Sequence, residues 1–192
     1  MENMPVVKEF IELAELDCAS RHERLVVDAV TKKLKELGFT VREDDTAAKV
    51  EGEAGNVCAY LEGTAKGCVL FAAHLDRVQN GLGIKPRLKD GNLVSDGTTI
   101  LAADDLSGVA AVLDGIRRAL ASGKPYPRIE VLFSVCEEIG VQGTKHLDTS
   151  LFEAKYGFVL DSPGRIGRVL DSAMGKAELF LDIKGKSAHA AY

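Results

Sequence analysis

Residues 68–76 read CVLFAAHLD, an unbroken apolar run that ends in a histidine and an aspartate. Two further apolar runs follow along the chain, VLFSVC at 131–136 and GFVL at 157–160. Continuous runs of this kind are typical of strands buried on both faces of a parallel sheet. Between the first two runs, apolar residues recur at helical spacing from Val109 to Leu120, which predicts an amphipathic helix. Strands that alternate with helices predict an α/β fold, a three-layer sandwich with a mainly parallel central sheet.

Shorter elements are predicted around these runs. Helical spacing predicts a helix over 5–16, and SRHE at 20–23 has the pattern of a capping box that begins a second helix, which ends at Gly38. An Asp-Gly pair within 88–94 is typical of a hairpin turn. The remaining predicted strands are 39–42, 57–61 and an exposed one at 177–183.

The composition excludes several classes of protein. The chain has 192 residues, 46% of them hydrophobic, and a formal net charge of −5 without a long basic block, so we expect no nucleic-acid partner. Its four cysteines include no C-x-x-C pair, which argues against a disulfide framework and against a thiolate zinc site. The sequence has no apolar run of membrane-spanning length and no signal-peptide pattern at its first residues. We therefore expect a cytoplasmic protein with no membrane partner.

Residues that can bind a metal ion follow each of the three apolar runs, which begin at residues 68, 131 and 157, and also follow the segment 100–103. They are His74, Asp76, Asp104, Asp105, Glu137, Glu138 and Asp161. Ligands of open α/β sheets bind beyond the carboxyl ends of the strands, so we expect these side chains to converge on one crevice. Carboxylates packed together repel one another unless a cation lies among them. Imidazole and carboxylate ligands without a thiolate favour Zn²⁺, with Mn²⁺ or Co²⁺ as alternatives.

The spacing within the pairs indicates different roles. In a strand His74 and Asp76 lie on the same face, so Asp76 can accept a hydrogen bond from the second ring nitrogen of a metal-bound His74. Glu137 and Glu138 diverge, which allows one to bind metal while the other acts as a general base. Taken singly, each feature has a structural interpretation too, such as helix-capping acids at 104–105. Only the ordered set favours a metal site.

Four blocks of the sequence resemble the M20 metallopeptidases: FAAHLD at 71–76, SDGTTILAADD at 95–105, the glutamates at 137–138, and LDS at 160–162. The SDGTTIL segment is similar to the peptidase T-like branch in particular. The resemblance implies a zinc-peptidase-like catalytic domain with two zinc ions and a cis peptide bond between the two aspartates of the second block. The resemblance implies that His74 and Asp161 are ligands of one zinc, that Glu138 is a ligand of the other, and that Asp104 bridges the two. It also implies that Asp76 orients His74 and that Glu137 is the general base.

The resemblance also implies a second domain. GKSAHA at 185–190 is similar to the start of the family's lid or dimerisation domain, so His189 is expected to stabilise the oxyanion. We expect a catalytic domain over 1–173, the start of a truncated lid domain over 174–192, and a homodimer formed through the complete lid. Relatives continue for well over a hundred residues and supply a last histidine to the second zinc. Leu106 stands where they usually carry lysine.

The function implied by this resemblance is metal-dependent removal of the N-terminal residue from short peptides, as in a tripeptidase, with this chain an incomplete fragment of the enzyme. Two alternatives stay open. The same dinuclear site would serve an N-acyl amino acid deacylase of the same family. The 192-residue chain alone would otherwise be an inactive, truncated module for metal binding or interaction.

Overall fold

The computed structural model describes residues 4–78, 81–172, 175, 177, 179–182 and 184–185. The helices are α1 (Pro5–Ala14), α2 (Arg24–Glu36), α3 (Thr46–Val50), α4 (Ala103–Ala121) and α5 (Gln142–Lys145), with a 3₁₀ turn at Thr149–Leu151. The strands are β1 (Thr40–Glu43), β2 (Val57–Leu61), β3 (Cys68–His74), β4 (Arg87–Lys89), β5 (Asn92–Val94), β6 (Arg128–Ser134) and β7 (Gly157–Val159).

Five of the strands form one sheet in the order β1-β2-β6-β3-β7. β3 runs parallel to both of its neighbours, with Phe71 opposite Val131 of β6 and Phe158 of β7. β2 pairs antiparallel with β6, and β1 pairs antiparallel with β2. β4 and β5 form a separate hairpin, as the Asp-Gly pair predicts. The three parallel strands arise from the three apolar runs, and the predicted α/β class is confirmed.

The sheet buries different residues on its two faces because side chains alternate along a strand. Val69 and Ala73 of β3 pack in the main core with residues of α1, α2 and α4. Leu70 and Ala72 of the same strand pack in a smaller cluster on the opposite face, together with Leu147, Leu151 and Phe152 around the 3₁₀ turn. The sheet therefore lies between a thick helical layer and a thin layer of short elements.

Two local predictions are wrong. The sequence SRHE does not form a capping box, because α2 begins at Arg24 and its N-cap residue Glu23 makes no side-chain capping bond. The two side chains that would form the box have distant partners: Ser20 donates to Asp76, and Glu23 accepts from the backbone of Cys136 as well as from Arg21 N–H. The second error concerns 177–183, where the described residues 177 and 179–182 form no strand.

The chain divides into two compact units, Met1–Asp161 and Ser162–Tyr192. The first unit contains every helix and strand given above. In the second unit, the residues that the structure describes form neither helix nor strand. The predicted boundary between a catalytic domain over 1–173 and a lid over 174–192 stays a prediction. Among the described helices, none has both the length and the apolar character needed to cross a bilayer.

Candidate metal centre

The candidate site lies at the carboxyl ends of the parallel strands. His74 is the last residue of β3, and Asp76 follows it by two positions. Glu137 and Glu138 come three and four residues after β6, and Asp161 comes two residues after β7. Parallel strands end at the same edge of a sheet, and therefore their terminal residues are brought together there.

Asp104 reaches the site from a helix instead. The predicted helix over 109–120 begins earlier in the structure, at Ala103, but Asp104 (φ −86°, ψ 107°) and Asp105 (φ −116°, ψ 23°) have non-helical backbone angles and form a kink at its start. Neither aspartate caps the helix with its side chain, and both side chains contact His74 instead. The peptide bond between them is cis, as the resemblance implies.

His74 is the buried centre of the cluster. Its Nδ1 lies 2.9 Å from the carbonyl oxygen of Asp76 and 3.5 Å from that residue's Oδ1, while its Nε2 lies 3.0 Å from Oδ1 of Asp104. Burial by itself would lower the pKa of His74, but Asp76 and Asp104 outweigh it and raise the pKa to about 10. The surroundings of the ring thus favour a positive charge, which a proton or a metal ion can supply.

Two groups of side chains have the geometry to hold metal ions. The ligand atoms of His74, Asp104 and Glu138 lie within 4.8 Å of one another, and so do those of His74, Glu137 and Asp161. One imidazole with several carboxylates is a donor set that suits Zn²⁺, Mn²⁺ or Co²⁺. The residues therefore fit the ions that the sequence predicts. The second group also contains Glu137, to which the resemblance gives the role of base.

The two glutamates are held in partly buried surroundings. Burial raises the pKa of Glu137, and the nearby carboxylates of Asp161, Asp76 and Asp104 raise it further, against the opposing effect of His74. The pKa of Glu138 is raised by burial and by Asp104 in the same way. A glutamate with a raised pKa is suited to accept and return a proton near neutral pH.

Asp76 is fully buried and connects three parts of the site. Besides contacting His74, it accepts a hydrogen bond of 2.6 Å from Ser20 Oγ through Oδ2. The backbone N–H groups of Glu137 and Glu138 donate to it at 2.8 and 3.1 Å. Its position therefore fixes both the histidine and the turn that carries the glutamates, a wider role than the sequence predicts.

Asp105 supports the site from beneath His74. Its buried carboxylate accepts a hydrogen bond of 3.3 Å from the His74 backbone N–H, and burial raises its pKa to about 7. Gly108 lies one turn along α4, and a Cβ there would collide with Oδ1 of Asp105 and with the carbonyl oxygen of Leu160. Glycine at 108 thus allows α4 to approach the end of β7, next to Asp161.

A cavity of about 930 Å³ opens beside Glu138. Its lining combines exposed apolar side chains with polar ones: Ala19, Ser20, Arg21, His22, Val78, Leu82, Glu138, Ile139 and Gln142. A volume of this size accommodates a small organic ligand next to the candidate metal ligands. The sequence gives no sign of this cavity, because its walls come from segments far apart in the chain.

Of the seven residues to which the resemblance gives a catalytic or metal-binding role, the structure brings together six: His74, Asp76, Asp104, Glu137, Glu138 and Asp161. The seventh, His189, lies outside the described residues, so its role as an oxyanion-stabilising group stays a prediction. Sequence reasoning missed Ser20 and Glu23 as contributors. Their spacing was a visible signal, but it was interpreted as a local helix cap.

Comparison with known proteins assigns the chain to a family. The model of peptidase family M28 matches residues 56–189, which include His74, the acidic residues of the cluster and His189. The chain belongs to peptidase family M28. Among curated proteins, the uncharacterized protein YqjE of Bacillus subtilis is 38% identical over 186 residues, covering 96% of this chain and 50% of that protein.

Solved structures of similar proteins carry more specific names. Aminopeptidase PepT from Bacillus cereus is 42% identical, with a TM-score of 0.83, over 85% of this chain and 44% of that one. A tripeptidase from Staphylococcus aureus is 30% identical, with a TM-score of 0.80, over 83% of this chain and 43% of that one. The chain spans about half the length of the curated relative YqjE. The prediction of a peptidase family is confirmed, and the finer M20 assignment, which the M28 model does not itself state, is consistent with these matches and stays a prediction.

Proposed function

We propose that the protein is a metal-dependent peptidase of the M20 type, in the peptidase T-like branch, which removes the N-terminal residue from short peptides. The observation that carries this proposal is the convergence of His74 with four carboxylates at the carboxyl ends of three parallel strands. The similar solved structures named aminopeptidase and tripeptidase support the choice of substrate.

In this proposal, His74 and Asp161 would hold one zinc ion and Glu138 the other, Asp104 would serve as a ligand of both, and Mn²⁺ or Co²⁺ are alternatives. When bound, the ions supply Lewis acidity toward the peptide carbonyl and lower the pKa of water. Asp76 orients His74 through the contacts at its Nδ1 and leaves Nε2 directed at the cluster.

Glu137 acts as the general base. It takes a proton from the attacking water and returns that proton to the amine that leaves, and its raised pKa suits both steps. The cavity beside Glu138 is where the short peptide binds. His189 as the oxyanion-stabilising group, the lid-mediated homodimer and the cytoplasmic location remain parts of the proposal that await a test.

The test is a substrate panel measured on the protein with any further sequence that its gene encodes. We expect Zn²⁺-, Mn²⁺- or Co²⁺-dependent release of the N-terminal residue from tripeptides, abolished by a chelator and restored by metal. Blocking the peptide N-terminus with an acetyl group should remove activity. Hydrolysis of N-acetyl amino acids alone would establish the deacylase alternative, and metal binding without hydrolysis of either class would favour the inactive module.

A further inference from the structure

Three consecutive backbone N–H groups at the end of β6 all donate to buried carboxylates. Cys136 N–H donates to Oε1 of Glu23 at 3.0 Å. Glu137 N–H and Glu138 N–H donate to the two carboxylate oxygens of Asp76, at 2.8 and 3.1 Å. Glu23 and Asp76 are both fully buried. Two buried acids therefore hold the turn that carries Glu137 and Glu138 by hydrogen bonds to its backbone. Asp76 has a role in the proposed function, and Glu23 has none.

The backbone conformation of Cys136 explains why these hydrogen bonds are needed. Cys136 has a φ of 54°, in the left-handed region that residues with a Cβ avoid. This turn redirects the chain after β6 and presents the next two N–H groups to Asp76. The carbonyl of Cys136 accepts from Gln142 N–H at 2.9 Å, so the strained residue is held on both of its peptide groups. Residues kept in such conformations are held there by their surroundings.

Apart from the neighbouring Arg21 backbone, Glu23 bonds among the described residues only to Cys136, from which it accepts through both the backbone N–H and the thiol, the latter at 3.4 Å. Its Oε1 accepts from Arg21 N–H at 2.9 Å as well as from Cys136, while its Oε2 is buried without a hydrogen-bond partner. Its side chain does not cap α2. A carboxyl group is costly to bury, so its retention at this place indicates a specific task.

We propose that Glu23 is a positioning residue, which fixes the left-handed turn at Cys136 and thereby directs Glu137 and Glu138 into the metal cluster. It acts through the Cys136 backbone and touches neither metal nor substrate. This inference rests on the proposed function for the roles of Glu137 and Glu138. That Glu23 fixes the turn at Cys136 does not depend on the proposed function.

Three substitutions of Glu23 distinguish a role of its hydrogen bond to Cys136 from a role of its charge. Glu23→Gln keeps an acceptor at Oε1 and loses the charge, and its amide group occupies the place where Oε2 already lacks a partner. Glu23→Asp keeps the charge but is one methylene too short to reach Cys136 N–H. Glu23→Ala removes both. A positioning role predicts that Gln behaves like the wild type and that Asp and Ala are impaired, whereas a role of charge predicts that Asp is the mildest change.

The experiment combines a Co²⁺ titration, followed by visible absorption, with amide hydrogen exchange of the metal-free chain over 134–141. We expect the Co²⁺ Kd to rise about 10–100-fold in Glu23→Ala and Glu23→Asp, a typical effect of losing a group that supports metal ligands, and to stay within about threefold in Glu23→Gln. Exchange at Cys136 should accelerate in the same two variants and not in Glu23→Gln.

Val26→Ala is the matched control for general loss of stability, because Val26 is fully buried on α2, which follows Glu23 directly, and belongs to the main core. Its Co²⁺ Kd should stay near the wild-type value. Equal losses in Val26→Ala and Glu23→Ala, equal losses in Glu23→Gln and Glu23→Ala, or unchanged exchange at Cys136 would each overturn the inference. A wild type that binds no Co²⁺ would instead contradict the proposed function, and the exchange data would still decide whether Glu23 fixes the turn.

Discussion

A buried acid, Glu130, lies near the start of β6, and two partly buried acids, Glu137 and Glu138, lie just beyond its end, in different surroundings. Near the start, Glu130 accepts from the N–H groups of Glu153 and Ala154 and pairs with Arg128 Nε at 3.0 Å. Burial would raise the pKa of Glu130, but these donors outweigh it and lower the pKa. Beyond the end, Glu137 and Glu138 form no ion pair with any described lysine or arginine, and their pKa values are raised.

This difference separates an acid that holds the fold from acids arranged for a ligand. Arg128 neutralises the charge of Glu130, and backbone N–H groups donate hydrogen bonds to it, so this carboxylate needs no further partner in the folded protein. The acids around His74 share a single imidazole, and close carboxylates in this situation are stabilised by an external cation. Substitutions at the two ends should therefore affect different properties of the protein.

The largest effect is expected on catalysis, from Glu137→Gln. Loss of a general base typically lowers the rate by about 10²–10⁴-fold, so kcat for a tripeptide should fall by that factor. Zinc content per chain should stay at the wild-type level, as measured by elemental analysis after dialysis. A kcat within a factor of about two would contradict the role of Glu137 as base, and a loss of zinc would identify Glu137 as a ligand instead.

At the other end of β6, Glu130→Ala should lower stability and leave metal binding intact. It leaves the N–H groups of Glu153 and Ala154 without their acceptor and removes one of the carboxylates around Arg128, and an unsatisfied buried donor costs about 1–3 kcal/mol, measurable by urea unfolding. Glu62→Ala is the matched control, because Glu62 pairs with the same arginine from an exposed position and should cost under about 1 kcal/mol. Equal costs for the two variants would contradict the distinction.

The pH dependence of the metal-free protein should carry the signature of His74. Its folded pKa of about 10 lies above the usual value of 6.5, so its contribution to stability is complete below pH 6.5 and is lost as the pH rises toward 10. The free energy of unfolding, measured by urea titration in a chelator at several pH values, should fall over this window. The fall should be smaller in His74→Gln, and identical slopes in both proteins would rule out a raised pKa at His74.

Two glycines of α4 give the smallest effects, with opposite signs. Gly108→Ala should cost about 1–3 kcal/mol and weaken metal binding, since the new methyl group displaces Asp105 or Leu160. Gly115→Ala meets nothing within 4 Å and should instead stabilise the helix by about 0.4–1 kcal/mol. Thermal unfolding of the metal-free variants measures both. A neutral Gly108→Ala would show that the close approach of α4 is not required.

The parts of the fold that could be predicted are those that are set by neighbouring residues. The apolar runs predicted the three parallel strands, and the polar residues at or beyond their ends predicted five members of the cluster, while Asp104 was predicted from the segment 100–103. Contacts between distant segments could not be predicted. Ser20 bonds to a residue 56 positions away and Glu23 to one 113 positions away, so their local spacing was misinterpreted as a capping box. Single-sequence patterns also do not encode which strands become neighbours, and the placement of β2 between β1 and β6 had no signal.

The central claim is that the cluster around His74 binds metal ions between β3, β6 and β7. Anomalous X-ray diffraction at the zinc absorption edge, on crystals of the protein grown with Zn²⁺, tests it most directly. We predict anomalous density within coordination distance of His74 Nε2, Asp104 and Glu138 or Asp161, lost in His74→Ala crystals. Zinc absent from this cluster, bound only elsewhere on the surface, or unchanged in His74→Ala would contradict the claim.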